Sequence, residues 1–399
     1  MNSDVASAGP LAGIKVLDLT AVVLGPMATV TLGDYGADVI KVEGPDGDMM
    51  RKNGISLHPG MSSIFLALNR NKRSLGLDLQ TEQGKTVLNR IIPHIDVFVH
   101  NMRVDAIERL GFGYTAVAAR NPNVVYCVAT GFDQDGPDKA RPAFDDIIQA
   151  ASGLATLAGH GRSSPDYVPT LIADKTAGMA VVNAVLAALF HRERTGCGQY
   201  VEVPMFETLA GFVLAEHLGG ITFEGNSNPA GYARLLGGGR RPVKASDGYL
   251  SILPYSPKHW KSFFDATGHP EFLSCLEIQE ETKRVPALYS SLAEIVQNEP
   301  TDYWMALCDR LDIPSTKIYS LDDLPSHPQL QAVGFFPAMD HPTEGRIRYT
   351  RPAVKFQQSP AAVRLPAPKL GQHNAELLGE YGFSPDEIGD LQKAKVLVA

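Results

Sequence analysis

The chain has 399 residues, 44% of them hydrophobic and 20% charged, the composition of an ordinary soluble globular protein with enough length for two cores. A net charge of −8 and a pI near 5.8 argue against nucleic acid or an acidic membrane surface as the main partner. Its four cysteines, Cys127, Cys197, Cys275 and Cys308, form no CxxC pair and no Cys/His zinc spacing, so no disulfide framework and no metal site are expected and a reducing cytoplasmic setting fits.

The first residues, up to Leu19, carry no basic stretch ahead of an apolar one, and no uninterrupted apolar run reaches spanning length; neither a secretion signal nor a membrane span is expected. Ile14 to Leu19 reads as a first buried parallel strand ending at Thr20. A loop with Leu24, Gly25 and Pro26 follows; Pro26 suits the first position of a helix, expected over Met27 to Tyr35 and ended by Gly36. Ala37 to Glu43 is the second strand, so the chain opens as a β–α–β unit and predicts an α/β fold. Gly44 to Gly60 reads as an irregular loop.

Asn69 to Ser74 places Arg70, Lys72 and Arg73 among small polar residues just before a strand expected over Leu75 to Leu79. Such a turn is either simply solvated or a place to hold a phosphate. A helix over Thr81 to Ile92, capped by Thr81, and a strand over Asp96 to His100 ending at Asn101 repeat the β–α–β step. Gly111, Gly113 and Ala116 formally match GxGxxA, but the run follows a short helix, Val104 to Leu110, where a dinucleotide site needs a strand, so that reading is rejected. Val124 to Thr130 is a further strand, Asp133 to Arg141 a polar loop, and Phe144 to Ala151 opens a helix with Asp145 and Asp146 in the first turn, where the dipole favours them.

The stretch from Thr170 to Val203 organises the rest. Thr176 to Phe190 is nearly all apolar or small, which predicts a helix buried on most sides; His191, Arg192 and Arg194 suit its last turn, Gly196 and Gly198 stop it, and Tyr200 to Val203 alternates like a strand. Asp174 sits at the helix start. The plain reading is an N-cap; the sharper one is a nucleophile, a carboxylate beside small residues that leave room for an activated acyl group, and both can hold at once. After a helix over Met205 to Leu218, the character changes. Gly237, Gly238 and Gly239 lie in a loop that on composition alone reads as a linker; the alternative is a backbone that approaches a ligand closely. Residues 225 to 325, with a strand at Tyr249 to Leu253 and several helices, read as a small α+β domain, leaving 1 to 220 and 328 to 399 as the two parts of a large α/β domain. Short β-like runs at Arg346 to Tyr349 and Ala353 to Phe356 precede two final helices, capped by Asn374 and by a Ser384…Glu387 capping box. There is no Walker A loop, HExxH, EF-hand or GxSxG elbow, which leaves carboxylates as the reactive groups.

Several runs together resemble family III CoA-transferases, the group with formyl-CoA transferase and the carnitine CoA-transferases: Gly25-Pro26 with Gly33-Asp34 and Gly36 to Glu43, Asn71 to Ser74, Gly131-Phe132, Gln149-Ala150 with Gly153, Ala173-Asp174 with Gly178, His191 to Gly196 with Gly198-Gln199, Asp247 to Tyr249, Trp260, and Pro368 with Leu370, Gly371 and His373. The resemblance implies a Rossmann-like large domain built from both chain ends, a smaller α+β domain and an interlocked, ring-like homodimer. It implies Asp174 as catalytic aspartate, with Leu24, Lys72, Arg73, Asn101, Met102 and Arg109 at or near the coenzyme A site and Gly237, Gly238 and Gly239 as a loop closing over the intermediates. The substrates it implies are an acyl-CoA and a carboxylic acid, with coenzyme A the only cofactor-like group and no metal. Formyl-CoA transferases carry Gln where this chain has Val23 and Arg where it has Gly44, which puts formyl and oxalate specificity in doubt. Two other readings compete: an acyl-CoA racemase on the same fold, and a non-catalytic CoA-binding scaffold. Racemases of this resemblance carry a His-Asp pair where this chain has Phe144-Asp145; a phenyl ring carries no proton, and His160 is the nearest candidate in sequence to replace it.

Overall fold

The computed structural model describes residues 9–399; the part of the signal-sequence expectation that concerns residues 1–8 lies outside them. The chain forms two compact units, one of residues up to Ala158 with Pro165–Phe212 and Ala332–Ala399, the other of Gly159–Ser164 with Val213–Gln331.

The first unit is built on a six-stranded parallel sheet in the order β3-β2-β1-β4-β5-β6. Its strands are β1 (Lys15–Leu19), β2 (Asp38–Glu43), β3 (Lys72–Gly76), β4 (Val97–His100), β5 (Val125–Thr130) and β6 (Gln199–Pro204). Helix α1 (Leu24–Asp34) joins β1 to β2, α2 (Glu82–Ile91) joins β3 to β4, and α3 (Val104–Leu110) and α4 (Tyr114–Arg120) join β4 to β5. Then α5 (Asp145–Ala151) and α6 (Ile172–Thr195) lead to β6, and α7 (Met205–His217) follows it. The central strands β1, β2, β4 and β5 are short, mostly apolar runs covered on both faces, so Val16, Leu17, Ile40, Val97, Phe98 and Val125 are all buried. The chain end returns to this sheet: His373 Nδ1 accepts from Ser74 N–H and Asn374 Oδ1 from Gly76 N–H, and Leu377, Leu378 and Val396, on or after α11 (Asn374–Glu380), join the same core.

Several boundaries differ from the sequence reading for identifiable reasons. Helix α1 begins at Leu24, so Pro26 is its third residue; a first-turn N–H has no intrahelical partner, and proline costs nothing there. β3 begins at Lys72, so the expected basic turn is strand, its charges absorbed by ion pairs described below. Gly111 is the left-handed C-cap of α3 and Gly113 the N-cap of α4, a helix–helix joint. Leu171, not Asp174, occupies the N-cap of α6, without a side-chain cap bond. That helix is long and apolar enough to suit a membrane span by length and composition, yet much of it is buried in the unit, while Met179 and Phe190 stand exposed against the expectation of burial on most sides. Ala353 to Phe356 forms no strand; Gly345–Arg348 (β11) pairs antiparallel with Ala338–His341 (β10). His373 holds the cap position of α11, and Asn374 instead ties β3 to Val398 O. The Ser384–Glu387 capping box opens the last helix, α12 (Pro385–Lys393).

The second unit is α+β. A three-stranded antiparallel sheet of β7 (Val243–Lys244), β8 (Tyr249–Ile252) and β9 (Ser315–Lys317) packs with α8 (Pro257–Thr267), α9 (Glu281–Val296) and α10 (Thr301–Leu311) around Trp260, Phe263, Phe264, Leu292 and Trp304.

Candidate active site

The order of the parallel sheet reverses between β1 and β4, and the crevice beyond the carboxyl ends of such a pair is where open α/β sheets bind ligands. A cavity of about 360 Å³ lies there. Leu19, Ala21 and Val22 line it after β1, Asn101 and Met102 after β4, Thr130 and Gly131 at the end of β5, and Leu24 at the start of α1. Phe144, Asp174 and Met205 complete the wall, with Arg103, Lys139 and Arg141 as its cations. A second cavity of about 270 Å³ shares Leu19, Ala21 and Met102 with the first and extends towards Gly44, Gly47 and Gln80, so the two adjoin.

Asp174 is the third residue of α6 and only 8% exposed. Its N–H donates to Asp145 Oδ1 at 3.0 Å, while its own carboxylate has no hydrogen-bond partner among the described residues. Asp145 is held in turn by Gln149, whose Nε2 donates to Oδ2 at 2.6 Å and whose Oε1 accepts from Val168 N–H at 2.9 Å. Burial, and then the nearby Asp145 charge, push the Asp174 carboxyl up to about 7. One turn on from Asp174, a Cβ on Gly178 would stand 2.8 Å from Leu24 O, so glycine lets α6 approach the first turn of α1. That turn has no side-chain cap, which leaves the N–H groups of Leu24 and Gly25 at the positive end of a helix beside the acid.

Of the residues singled out from sequence, the cavity gathers Asp174, Leu24, Asn101 and Met102. Asn101 shapes the wall: its amide accepts from Ala21 N–H at 3.0 Å and donates to Ala21 O at 2.8 Å. Lys72 and Arg73 take other work. Lys72 is fully buried, and its ammonium donates to Asp18 Oδ2 at 3.1 Å, Asn69 Oδ1 at 2.9 Å and Pro26 O at 3.3 Å, which uses all three of its protons. Arg73 pairs with Asp38, Glu376 and Glu380 and so fastens the returning chain end to β2 and β3. Neither lines either cavity: both lie on β3, Lys72 held by buried partners and Arg73 by three carboxylates nearer the surface. Arg109 is exposed on α3, 2.7 Å from Asp105, and lines neither cavity. In the second unit, Gly237 caps the short helix Ala233–Leu236, Gly238 has φ +82° with nothing within 4 Å of an added Cβ, and Gly239 lies against Pro286. His160 is in that unit too, its Nε2 2.7 Å from Leu236 O. No histidine lines the Asp174 cavity among the described residues, and Phe144 is 60% exposed in its wall.

Sequence reasoning passed over Ala21 and Val22, although the end of the first strand of a parallel sheet was a signal for them, and over Lys139 and Arg141, which read as a polar loop. Among the described residues no group of three or more His, Cys, Asp and Glu is placed to hold a metal ion.

A parallel α/β sheet with a cavity at its switch point and a buried acid in the wall has the arrangement of an α/β protein that binds a ligand beyond the carboxyl ends of its strands. The chain belongs to CoA-transferase family III, whose sequence profile matches residues 11–374, and it is accordingly an enzyme that transfers coenzyme A. It is 29% identical to the human succinyl-CoA:glutarate CoA-transferase over 402 residues, 99% of this chain and 91% of that protein. It is 30% identical to the formyl-CoA:oxalate CoA-transferase of Shigella sonnei, over 96% of this chain and 98% of that one. A crystal structure of Rv3272 from M. tuberculosis superposes with a TM-score of 0.80 at 29% identity, covering 92% of this chain and 99% of that one. A CAIB/BAIF family protein from Brucella suis gives the same score at 28% identity, covering 94% and 100%.

Proposed function

We propose that the enzyme moves coenzyme A from an acyl-CoA to a free carboxylate through covalent intermediates on Asp174. The carboxylate attacks the thioester carbonyl, giving a mixed anhydride and the CoA thiolate. The thiolate then attacks the aspartyl carbonyl, releasing the first acid and leaving an aspartyl-CoA thioester. The acceptor carboxylate attacks that thioester to give a second anhydride and the thiolate again, which takes the new acyl group and frees Asp174. Donor, acceptor and Asp174 are all carboxylates, so each exchange is close to thermoneutral and no external energy source enters.

The observation that carries this reading is Asp174 itself: an unpartnered acid, nine-tenths buried, in the wall of the switch-point cavity. Burial penalises the free carboxylate and not its neutral acyl derivatives, which favours acylation, and raised basicity makes it a stronger nucleophile. Uncapped N–H groups at the start of α1 are suited to an oxyanion that develops beside Asp174. The adjoining second cavity offers coenzyme A room beyond the first. Gly237 to Gly239 are the proposed lid that keeps water from the anhydrides, with the left-handed Gly238 as its freest point. A homodimer is also part of the reading, because Met179, Phe190 and Phe212 leave large apolar side chains on the surface of the first unit. So is a cytoplasmic setting, in keeping with four unpaired cysteines. The racemase reading is not favoured, since it needs a second acid–base group where Phe144 stands.

Purified enzyme with an acyl-CoA and a panel of carboxylates tests the proposal directly. New acyl-CoA products formed one for one with released acid support it. Rapid uptake of deuterium at the α-carbon of a chiral 2-methylacyl-CoA in deuterated water, without an acceptor acid, would refute it in favour of racemisation.

A further inference from the structure

Val22 has φ +74°, in the left-handed region that a β-branched residue rarely enters. Among the described residues the other non-glycine positions with positive φ are Asn71, Asp312 and Lys395, none of them β-branched. Strain of this kind persists only where the surroundings over-determine it. Here they do. Asn101 clips Ala21 at both N–H and C=O, and Val22 N–H donates to Asp48 Oδ1 at 3.1 Å. Lys41 donates to Thr20 O at 2.9 Å and to Asp48 Oδ2 at 2.9 Å. Lys41 and Asp48 are themselves buried, and Asp48 N–H is anchored on Glu43 Oε1 at 2.9 Å. Thus one buried ion pair grips the segment at Thr20 and again at Val22.

The grip has a geometric result. The chain reverses so tightly that a Cβ on Gly25 would lie 2.2 Å from Thr20 Cβ. Helix α1 therefore starts within a short turn, Thr20 to Val23, of the end of β1, and its uncapped first turn abuts the helix that carries Asp174, by way of Gly178. We propose that Asp48, together with Lys41, is a positioning residue for CoA transfer: it holds Val22 left-handed and thereby sets the first turn of α1 beside Asp174. This rests on Asp174 being the reacting group.

The test is a double-mutant cycle. Glycine enters the left-handed region without strain, so Val22→Gly removes the need for the grip. Asp48→Ala is expected to lower turnover at least about tenfold when Val22 is present, within the roughly ten- to hundredfold that strain of this size represents. In the Val22→Gly background the same replacement is expected to cost less than about threefold. Should Asp48→Ala fail to fold because Lys41 is left unpaired, the pair is replaced together as Lys41→Met with Asp48→Ala, which removes both buried charges, and the cycle is run on that. An equal loss in the two backgrounds, or no loss in either, overturns the proposal. Asp174→Asn assayed alongside separates the two ideas: if it retains transfer, the nucleophile assignment fails, whatever the cycle returns.

Discussion

Replacing Asp174 by asparagine removes one buried negative charge and keeps the shape, so its effect on stability follows from the environment of the carboxyl. In the folded chain that carboxyl titrates near 7, raised from 3.8, first by burial and then by Asp145. A folded value above the unfolded one means that the native state holds the proton more tightly between pH 3.8 and 7. Stability therefore falls as pH rises through that window, and the full penalty is present above it. About three pH units at roughly 1.36 kcal/mol each give an upper limit of about 4 kcal/mol at pH 8 and less than half of that at pH 5. Asp174→Asn should recover that penalty. At roughly 2 °C per kcal/mol for a unit of this size, the variant should melt on the order of 8 °C above the parent at pH 8 and about 3 °C above it at pH 5. Thermal unfolding followed by circular dichroism at the two pH values is the assay. A variant that melts no higher than the parent at pH 8, or gains equally at both, refutes the claim that an uncompensated charge sits at this position.

Two further outcomes follow from the placement of charged and glycine residues. Lys72→Met leaves Asp18 buried without its main ionic partner, so it should cost about 3–5 kcal/mol in chemical denaturation while changing KM for acyl-CoA less than about twofold; a large rise in KM with unchanged stability would restore the phosphate role. Gly238→Val forces a side chain onto a backbone at φ +82°, so transfer should fall and acyl-CoA hydrolysis should rise relative to transfer if this loop shields the intermediates; if neither rate nor ratio moves, the glycines serve as a linker.

The parallel sheet was legible because its central strands are short apolar runs between turn residues, as Ile14 to Leu19 and Val124 to Thr130 illustrate. β3 was misplaced because Lys72 and Arg73 look like a solvated turn in one dimension; only the fold brings Asp18, Asp38, Glu376 and Glu380 to them. Asp174 could be singled out as an acid at the head of a helix of small residues. Its lack of a partner, its neighbour Asp145 and its shifted titration depend on contacts between α5 and α6 that no local pattern encodes. The left-handed Val22 was invisible for a stronger reason: valine disfavours that conformation, and the residues that impose it, Asp48 and Asn101, lie far along the chain.

The central claim is that coenzyme A becomes covalently attached to Asp174 during turnover. Enzyme mixed with acyl-CoA, quenched in acid within the first turnovers and digested for peptide mass analysis tests it. A thioester of coenzyme A on the peptide containing Asp174, lost when acceptor acid is added and absent from Asp174→Asn, is the predicted result. Undiminished transfer by Asp174→Asn, or an adduct that maps to a different residue, would contradict it.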